Sequence, residues 1–345
     1  MITVDLRSDT MTRPTPGMRQ AMFNAEVGDD CFGEDPTVNR LEEAMAALTG
    51  KEAGLLVTSG TQGNQLAVRA QTHHGDDVVA EHDCHLFNAE AGALSALSGV
   101  QTRLLKGDRG VITPEQIEEV VRPKDVHYGR TALIAVENTH NKSSGSPWSL
   151  EALAAVYAFA RPRNIRVHMD GARLFNAVVA TGISAQTYGR YVDTFSICLS
   201  KGLGAPVGSV VVGDRETIDR ARYFRKMFGG GMRQAGVLAA AGLYALEHNI
   251  SRMADDHRRA RRFAEALADM PGVGIDLNEI RTNMLFFTPP AGQPPEQVVR
   301  KCETRGVRML AMRPGVIRAV THLDIDDTQI EYAIDVCRET MPHPS

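Results

Sequence analysis

Leu55-Leu56-Val57-Thr58-Ser59-Gly60-Thr61-Gln62-Gly63-Asn64 is an apolar run that halts at small polar residues and resumes with helical spacing. A strand that turns straight into a helix is half of a βα unit. The pattern recurs: short runs rich in β-branched residues at 55–58, 78–80, 102–105, 132–137, 166–169, 194–198 and 209–212 alternate with helical-period segments. Such alternation predicts an α/β fold, with a mainly parallel central sheet and helices on both faces. One helix is fully punctuated, over 36–48. Asp35 is its N-cap, Pro36 its first residue, Val38, Leu41, Met45 and Leu48 its apolar stripe, and Gly50 its stop signal.

Beyond Arg233 a long helical stretch, interrupted near 248–251, runs to Pro271-Gly272. The pattern then changes to a few strands and two helices, at 284–287, 295–304, 307–310, 316–320 and 328–339. This predicts an N-terminal arm over 1–20, a large domain over 21–250 and a smaller C-terminal domain over 251–345. The last reads as α+β, antiparallel strands covered by helices.

With 345 residues, 43% hydrophobic and 23% charged, the chain reads as soluble and globular, and disordered and fibrous classes are excluded. A net charge of −4 with dispersed Lys and Arg gives no nucleic-acid footprint. The densest basic stretch, 257–262, reads as a solvated helix face. A charged opening predicts no secretory signal, and the longest uncharged apolar stretch, 235–246, is too short to span a bilayer and predicts a buried core helix. Five scattered cysteines without a CxxC pair suit reduced thiols in a cytoplasmic protein.

Three strand ends carry chemistry. In Cys198-Leu199-Ser200-Lys201-Gly202-Leu203-Gly204 an apolar strand ends in a lysine flanked by glycines. Partial shielding from water would free its amine for a Schiff base, although a plain surface lysine explains the residue alone equally well. In Val167-His168-Met169-Asp170-Gly171-Ala172-Arg173 a strand runs into an acid. Asp170 suits the pyridine nitrogen of pyridoxal phosphate, which a carboxylate keeps protonated so that the ring accepts electrons from a breaking bond at Cα. A helix N-cap is its other reading. At the opening stretch, free backbone N–H groups and the Thr61 hydroxyl suit a phosphate, although helix starts with Ser, Gly and Thr are common as plain caps and the motif alone is weak. Cradle, acid and lysine, in that order at the ends of strands in one sheet, together point to an active site.

The ordered set resembles the fold-type I pyridoxal-phosphate enzymes, and the local wording resembles the low-specificity L-threonine aldolases. It is carried by Asp5-Leu6-Arg7-Ser8-Asp9-Thr10, Val27-Gly28-Asp29-Asp30, Gly33-Glu34-Asp35-Pro36, Glu137-Asn138-Thr139-His140-Asn141, Asp170-Gly171-Ala172-Arg173, Leu199-Ser200-Lys201-Gly202, Arg225-Lys226-Met227, Gly229-Gly230-Gly231-Met232-Arg233-Gln234 and Val320-Thr321-His322-Leu323-Asp324. The resemblance implies a retro-aldol cleavage of β-hydroxy-α-amino acids such as L-threonine and L-allo-threonine to glycine and an aldehyde. It implies that Lys201 carries the cofactor, Asp170 pairs with the ring nitrogen, and Gly60 and Thr61 hold the phosphate. Arg173 would contact the ring's phenolic oxygen or the substrate carboxylate, and Ser8 and Arg318 would bind that carboxylate. His85 would stack on the ring and handle the β-hydroxyl, which His127 would also grip. A homo-oligomer, dimer or tetramer, with shared sites is implied, in which Lys226 and Arg233 approach a neighbouring subunit's site. A metal is not expected: His82-x-x-His85 with Cys84 lacks a second ligand cluster.

The chain departs from the family wording at Lys142-Ser143-Ser144-Gly145-Ser146-Pro147-Trp148, and Phe32 and Phe87 stand where tyrosines are frequent. A β-eliminating lyase or an aminotransferase on the same scaffold is the nearest alternative, and a non-catalytic binding protein a remote one.

Overall fold

The computed structural model describes residues 3–313 and 315–341. Met1, Ile2, Pro314 and residues 342–345, with them the tips of the predicted arm and small domain, lie outside the described residues. A short first strand, β1 (Val4–Asp5), is followed by the predicted series β2 (Ala53–Val57), β3 (Asp77–Glu81), β4 (Gln101–Leu105), β5 (Thr131–Glu137), β6 (Arg166–Asp170), β7 (Thr194–Cys198) and β8 (Ser209–Gly213). These seven form one sheet in the order β2-β8-β7-β6-β5-β3-β4. Every residue of β3, β5, β7 and β8 is buried, as strands covered on both faces require.

The sheet is parallel except at β8, which pairs antiparallel with both β7 and β2. The reason is the length of the connection. Residues 199–208 are too few for the crossover that a parallel neighbour needs, so the chain turns back. Lys201 sits in that turn, which Gly204 helps to fold: its φ is +77°, and a Cβ there would stand 2.8 Å from Leu323.

The punctuated helix forms over Pro36–Thr49, with Asp35 Oδ1 accepting from the N–H groups of Thr37 and Val38 at 3.1 and 3.0 Å and Gly50 closing it in the left-handed region. The predicted core helix forms over Gly236–His248, with Gly236, Ala239–Gly242 and Ala245 buried. No helix among the described residues is long and apolar enough to cross a membrane. The basic stretch lies on the Met253–Ala268 helix, where Arg258 and Arg259 pair with Asp327 and Arg262 with Glu331. His257 is not on its solvated side; it is partly buried and bonded to Asn176 at 3.0 Å.

Further along, β9 (Met284–Phe287), β10 (Val307–Arg308), β11 (Leu310–Arg313) and β12 (Val316–Val320) follow. β11, β12 and β9 form an antiparallel sheet. The single strand expected over 307–310 is divided, because β10 pairs in parallel with β1 while β11 pairs with β12. Buried Met309 marks the change of partner. One apolar cluster draws on residues between Met18 and Met253, and another joins Val4 and Leu6 to residues between Ala260 and Met341. The start of the chain is thereby pinned beside β12, with Val320 N–H donating to Leu6 O at 2.8 Å.

Candidate active site

Because β2, β3, β5, β6 and β7 run the same way, their C-terminal ends share one edge of the sheet, where open α/β folds place ligands. After β2, Ser59 caps the Gly60–Gln71 helix by accepting from Gln62 N–H at 3.1 Å. The N–H groups of Gly60 and Thr61 have no acceptor within the helix and are free for an anion. Gly60 lies against the end of β7, and a Cβ there would stand 2.6 Å from Cys198 Sγ.

Asp170 closes β6 and is buried. Its Oδ1 accepts from Ala172 N–H at 3.1 Å and its Oδ2 from Asn64 Nδ2 at 2.9 Å. It thus serves the local turn as well as facing the site. Lys201 is held by its backbone, whose carbonyl accepts from Thr12 Oγ1 at 3.2 Å. Its ammonium has no hydrogen-bond or ion-pair partner among the described residues, although its charge is felt by Asp9 and His85.

The two arginines of the site differ in what they are free to do. Arg173 is clamped by Asp9, with Nε to Oδ2 and Nη2 to Oδ1 both at 2.8 Å. Burial alone would push the Asp9 carboxyl up, but the charge and hydrogen bonds of Arg173 hold it well below the usual range. The expected contact of Arg173 with ring or substrate would have to come from the part of the guanidinium that Asp9 leaves uncovered. Its fork is occupied, and only Nη1 remains, at 3.4 Å from Asn141 Oδ1.

Arg318, on β12, has no ion pair with a carboxylate among the described residues. Its Nη1 lies 3.3 Å from Asn141 Oδ1 and its Nη2 3.0 Å from Arg7 O, while its buried Nε has no partner. Burial, with the neighbouring Arg173, pushes it down to about 10. A buried cation of this kind is complementary to an incoming carboxylate. Ser8 follows the carbonyl that Arg318 grips; its hydroxyl accepts from Thr10 N–H at 3.2 Å.

His85 opens the short helix after β3, and its backbone N–H donates to Glu137 Oε2 at 2.6 Å. Its Nδ1 lies 2.9 Å from Glu90 Oε1. That hydrogen bond raises the imidazole pKa against the opposing effect of burial. His85, Glu90 and Asp170 place three possible ligand atoms within 4.8 Å of one another. Hydrogen bonds account for the grouping, since Asn64 Nδ2 donates to Glu90 at 2.7 Å and to Asp170 at 2.9 Å.

The structure does not bring His127 to this edge within the chain. It lies in the loop preceding β5, at the opposite end of that strand from Glu137, and its side chain is 80% exposed and paired with Asp125 at 2.6 Å. A strand of that length spans roughly 20 Å. Lys226 and Arg233 are exposed, and Arg233 pairs with Asp29 at 3.0 Å. Their segment abuts the phosphate-type loop, because a Cβ on Gly230 would lie 2.0 Å from Gln62 Nε2. Asp9, Asn64, Glu90, Glu137 and Asn141 are site residues to which sequence reasoning gave no role. All but Glu90 lay inside quoted stretches, Asn64 at the end of the opening one, but nothing local gave any of them a role.

The donor set suits pyridoxal phosphate: unpaired N–H groups for the phosphate, a buried acid for the ring nitrogen and an unpartnered amine for the aldehyde.

A family model described as Beta-eliminating lyase matches residues 5–289, which gives the class. Within it, the chain is 42% identical to Low-specificity L-threonine aldolase 1 of Arabidopsis thaliana, covering 100% of this chain and 99% of that one. It is also 42% identical to Low specificity L-threonine aldolase of Escherichia coli strain K12, over 95% and 96% of the two chains. A solved Leishmania major threonine aldolase superimposes with a TM-score of 0.85 at 17% identity, covering 98% and 100%. A structure of SPT with PLP does so at 0.75 and 16%, covering 98% of this chain and 87% of that one. The chain belongs to the low-specificity L-threonine aldolases of the beta-eliminating lyase family.

Proposed function

We propose that this protein cleaves L-threonine, L-allo-threonine and related β-hydroxy-α-amino acids to glycine and an aldehyde, with pyridoxal phosphate bound through Lys201. The observation that carries the reading is the buried, carboxylate-free Arg318 at the same edge as Asp170 and the unpartnered Lys201 amine. When bound, the cofactor supplies an electron sink for a bond broken at Cα.

The residues of the chain decide which bond that is. Arg318, helped by Ser8, would hold the substrate carboxylate to one side and so leave Cα–Cβ as the bond presented for cleavage. Arg173 stays on Asp9 and keeps Asn141 in place beside Arg318. His85 takes the proton of the β-hydroxyl as the aldehyde leaves. Gly60 and Thr61 would hold the phosphate, and Asp170 would keep the ring nitrogen protonated.

A homo-oligomer with shared sites accompanies this reading. Lys226 and Arg233 stand exposed beside the phosphate loop, and they would serve a neighbouring subunit. The cytoplasm fits the unpaired cysteines.

Two measurements follow. Holoenzyme given L-threonine or L-allo-threonine, with an aldehyde-reducing enzyme and a nicotinamide readout, should consume the reduced nicotinamide. No aldehyde from either, with a 2-oxoacid instead, would transfer the protein to the eliminating or transaminating reading. Asp170→Asn should keep its visible cofactor band yet lose about tenfold to a hundredfold in kcat, the worth of a charge-assisted hydrogen bond. An unchanged kcat would take Asp170 out of the mechanism.

A further inference from the structure

A chain of buried hydrogen bonds runs behind the site. Gln71 Nε2 donates to Thr194 Oγ1 at 2.9 Å. That hydroxyl lies 2.9 Å from His168 Nδ1, and His168 Nε2 lies 3.2 Å from Asn64 Oδ1. Burial pushes the His168 imidazole down to about 4, so it is neutral and carries one N–H. Asn64 Oδ1 only accepts, so that N–H is on Nε2, and Nδ1 accepts from Thr194. The amide of Asn64 is itself oriented from the site, where its NH2 gives one hydrogen to Asp170 Oδ2 and the other to Glu90 Oε1, which leaves Oδ1 toward His168. Gln65 Nε2 donates to Glu90 Oε2 at 2.6 Å.

Both oxygens of Glu90 are therefore met by N–H donors, which oppose the burial and the nearby Asp170 charge that raise its carboxyl above the usual range. The remaining contact is His85 Nδ1 at 2.9 Å from Oε1. An ionised carboxylate only accepts, so His85 presents N–H at Nδ1 and a lone pair at Nε2, which has no partner among the described residues.

We propose that Glu90 is the positioning residue of a His85–Glu90 pair: it fixes the imidazole tautomer and orientation so that His85 Nε2 is the atom that accepts the β-hydroxyl proton. The inference rests on the retro-aldol reading above and names the atoms of its proton transfer. As the substrate O–H bond breaks, its proton goes to Nε2. The oxygen's electron pair forms the aldehyde C=O, and the Cα–Cβ pair passes to the glycine fragment. The positive imidazole then faces the Glu90 carboxylate across the Nδ1–H bond. The other charged groups about His85 are Asp170, which favours its protonation, Lys201, which opposes it, and Glu137 at its backbone N–H.

Glu90→Gln keeps the shape and removes the charge. The variant should bind cofactor with an unchanged visible band. Its kcat for L-threonine should fall about a hundredfold, at the low end of what a positioned base contributes, while KM changes less than about threefold. The acid limb of its kcat profile should move to lower pH, because the imidazole loses the partner that raises its pKa. Nitrogen-15 spectra of histidine-labelled holoenzyme, with the His85 signal assigned by its loss in His85→Asn, should show Nδ1 protonated and Nε2 bare in the parent and lose that preference in Glu90→Gln. If Glu90→Gln does not fold, Glu90→Asp carries the test. It should move the acid limb the same way by less and retain the Nδ1–H tautomer.

A variant with parental kcat and acid limb, or a parent spectrum with Nε2 protonated, would overturn the proposal. If the parent forms no aldehyde, the retro-aldol reading fails and the proton acceptor it names fails with it. The spectra then report the His85–Glu90 tautomer independently of that failure.

Discussion

Lys201→Ala folds as the parent does and loses turnover by at least about a thousandfold, the consequence expected when the one covalent nucleophile of a site is removed. The turn around residue 201 does not depend on this side chain. Its shape comes from Gly204, from the Leu199 N–H bond to Gly208 O at 3.0 Å, and from Asn249 Nδ2 on Leu203 O at 2.7 Å. The ammonium makes no hydrogen bond or ion pair with any described residue, so thermal unfolding should be within about a kilocalorie of the parent. Cofactor added to the variant should bind without a borohydride-reducible link, since the phosphate loop and Asp170 remain. Near-parental turnover with a reducible chromophore would remove Lys201 from the mechanism.

Arg318→Ala should show function and stability moving in opposite directions. The guanidinium is buried, its Nε is unpartnered, and Arg173 stands near enough to help push it down to about 10, still charged through the neutral range. Holding a buried cation that shares the Asp9 charge but has no ion pair of its own costs stability, and Asp9 with Arg173 remains a complete pair without it. The variant should therefore melt no lower than the parent. Its kcat/KM for L-threonine should fall at least about tenfold, the worth of a charge-assisted hydrogen bond, because the carboxylate loses its partner and the Cα–Cβ bond swings out of line. A variant that melts well below the parent with unaltered kcat/KM would make Arg318 structural.

Strand ends, and with them the site, were legible because they depend on local patterns: an apolar run, then Gly60-Thr61, Asp170 or Lys201. The reversal of β8 was in principle readable too, since residues 199–208 leave no room for a crossover. The split at Met309 was not, because β10 takes its partner from the opposite end of the chain. The same limit hid the pairing of Arg173 with Asp9, which are 164 residues apart. A side chain's freedom depends on distant partners that no spacing rule supplies. His127 lies away from this edge within the chain, since a motif gives proximity in sequence to β5 and does not say which end of the strand a residue stands at. Asn64 and Glu90 carried no signature because a buried amide and a buried acid differ from exposed ones only in their surroundings.

Carbon-13-labelled L-threonine, turned over by the holoenzyme and followed by NMR, tests most directly that the site breaks the Cα–Cβ bond. Labelled glycine and labelled acetaldehyde should appear in equal amounts from the first turnovers. Labelled 2-oxobutyrate with little glycine would show that a different bond is broken and would contradict the account.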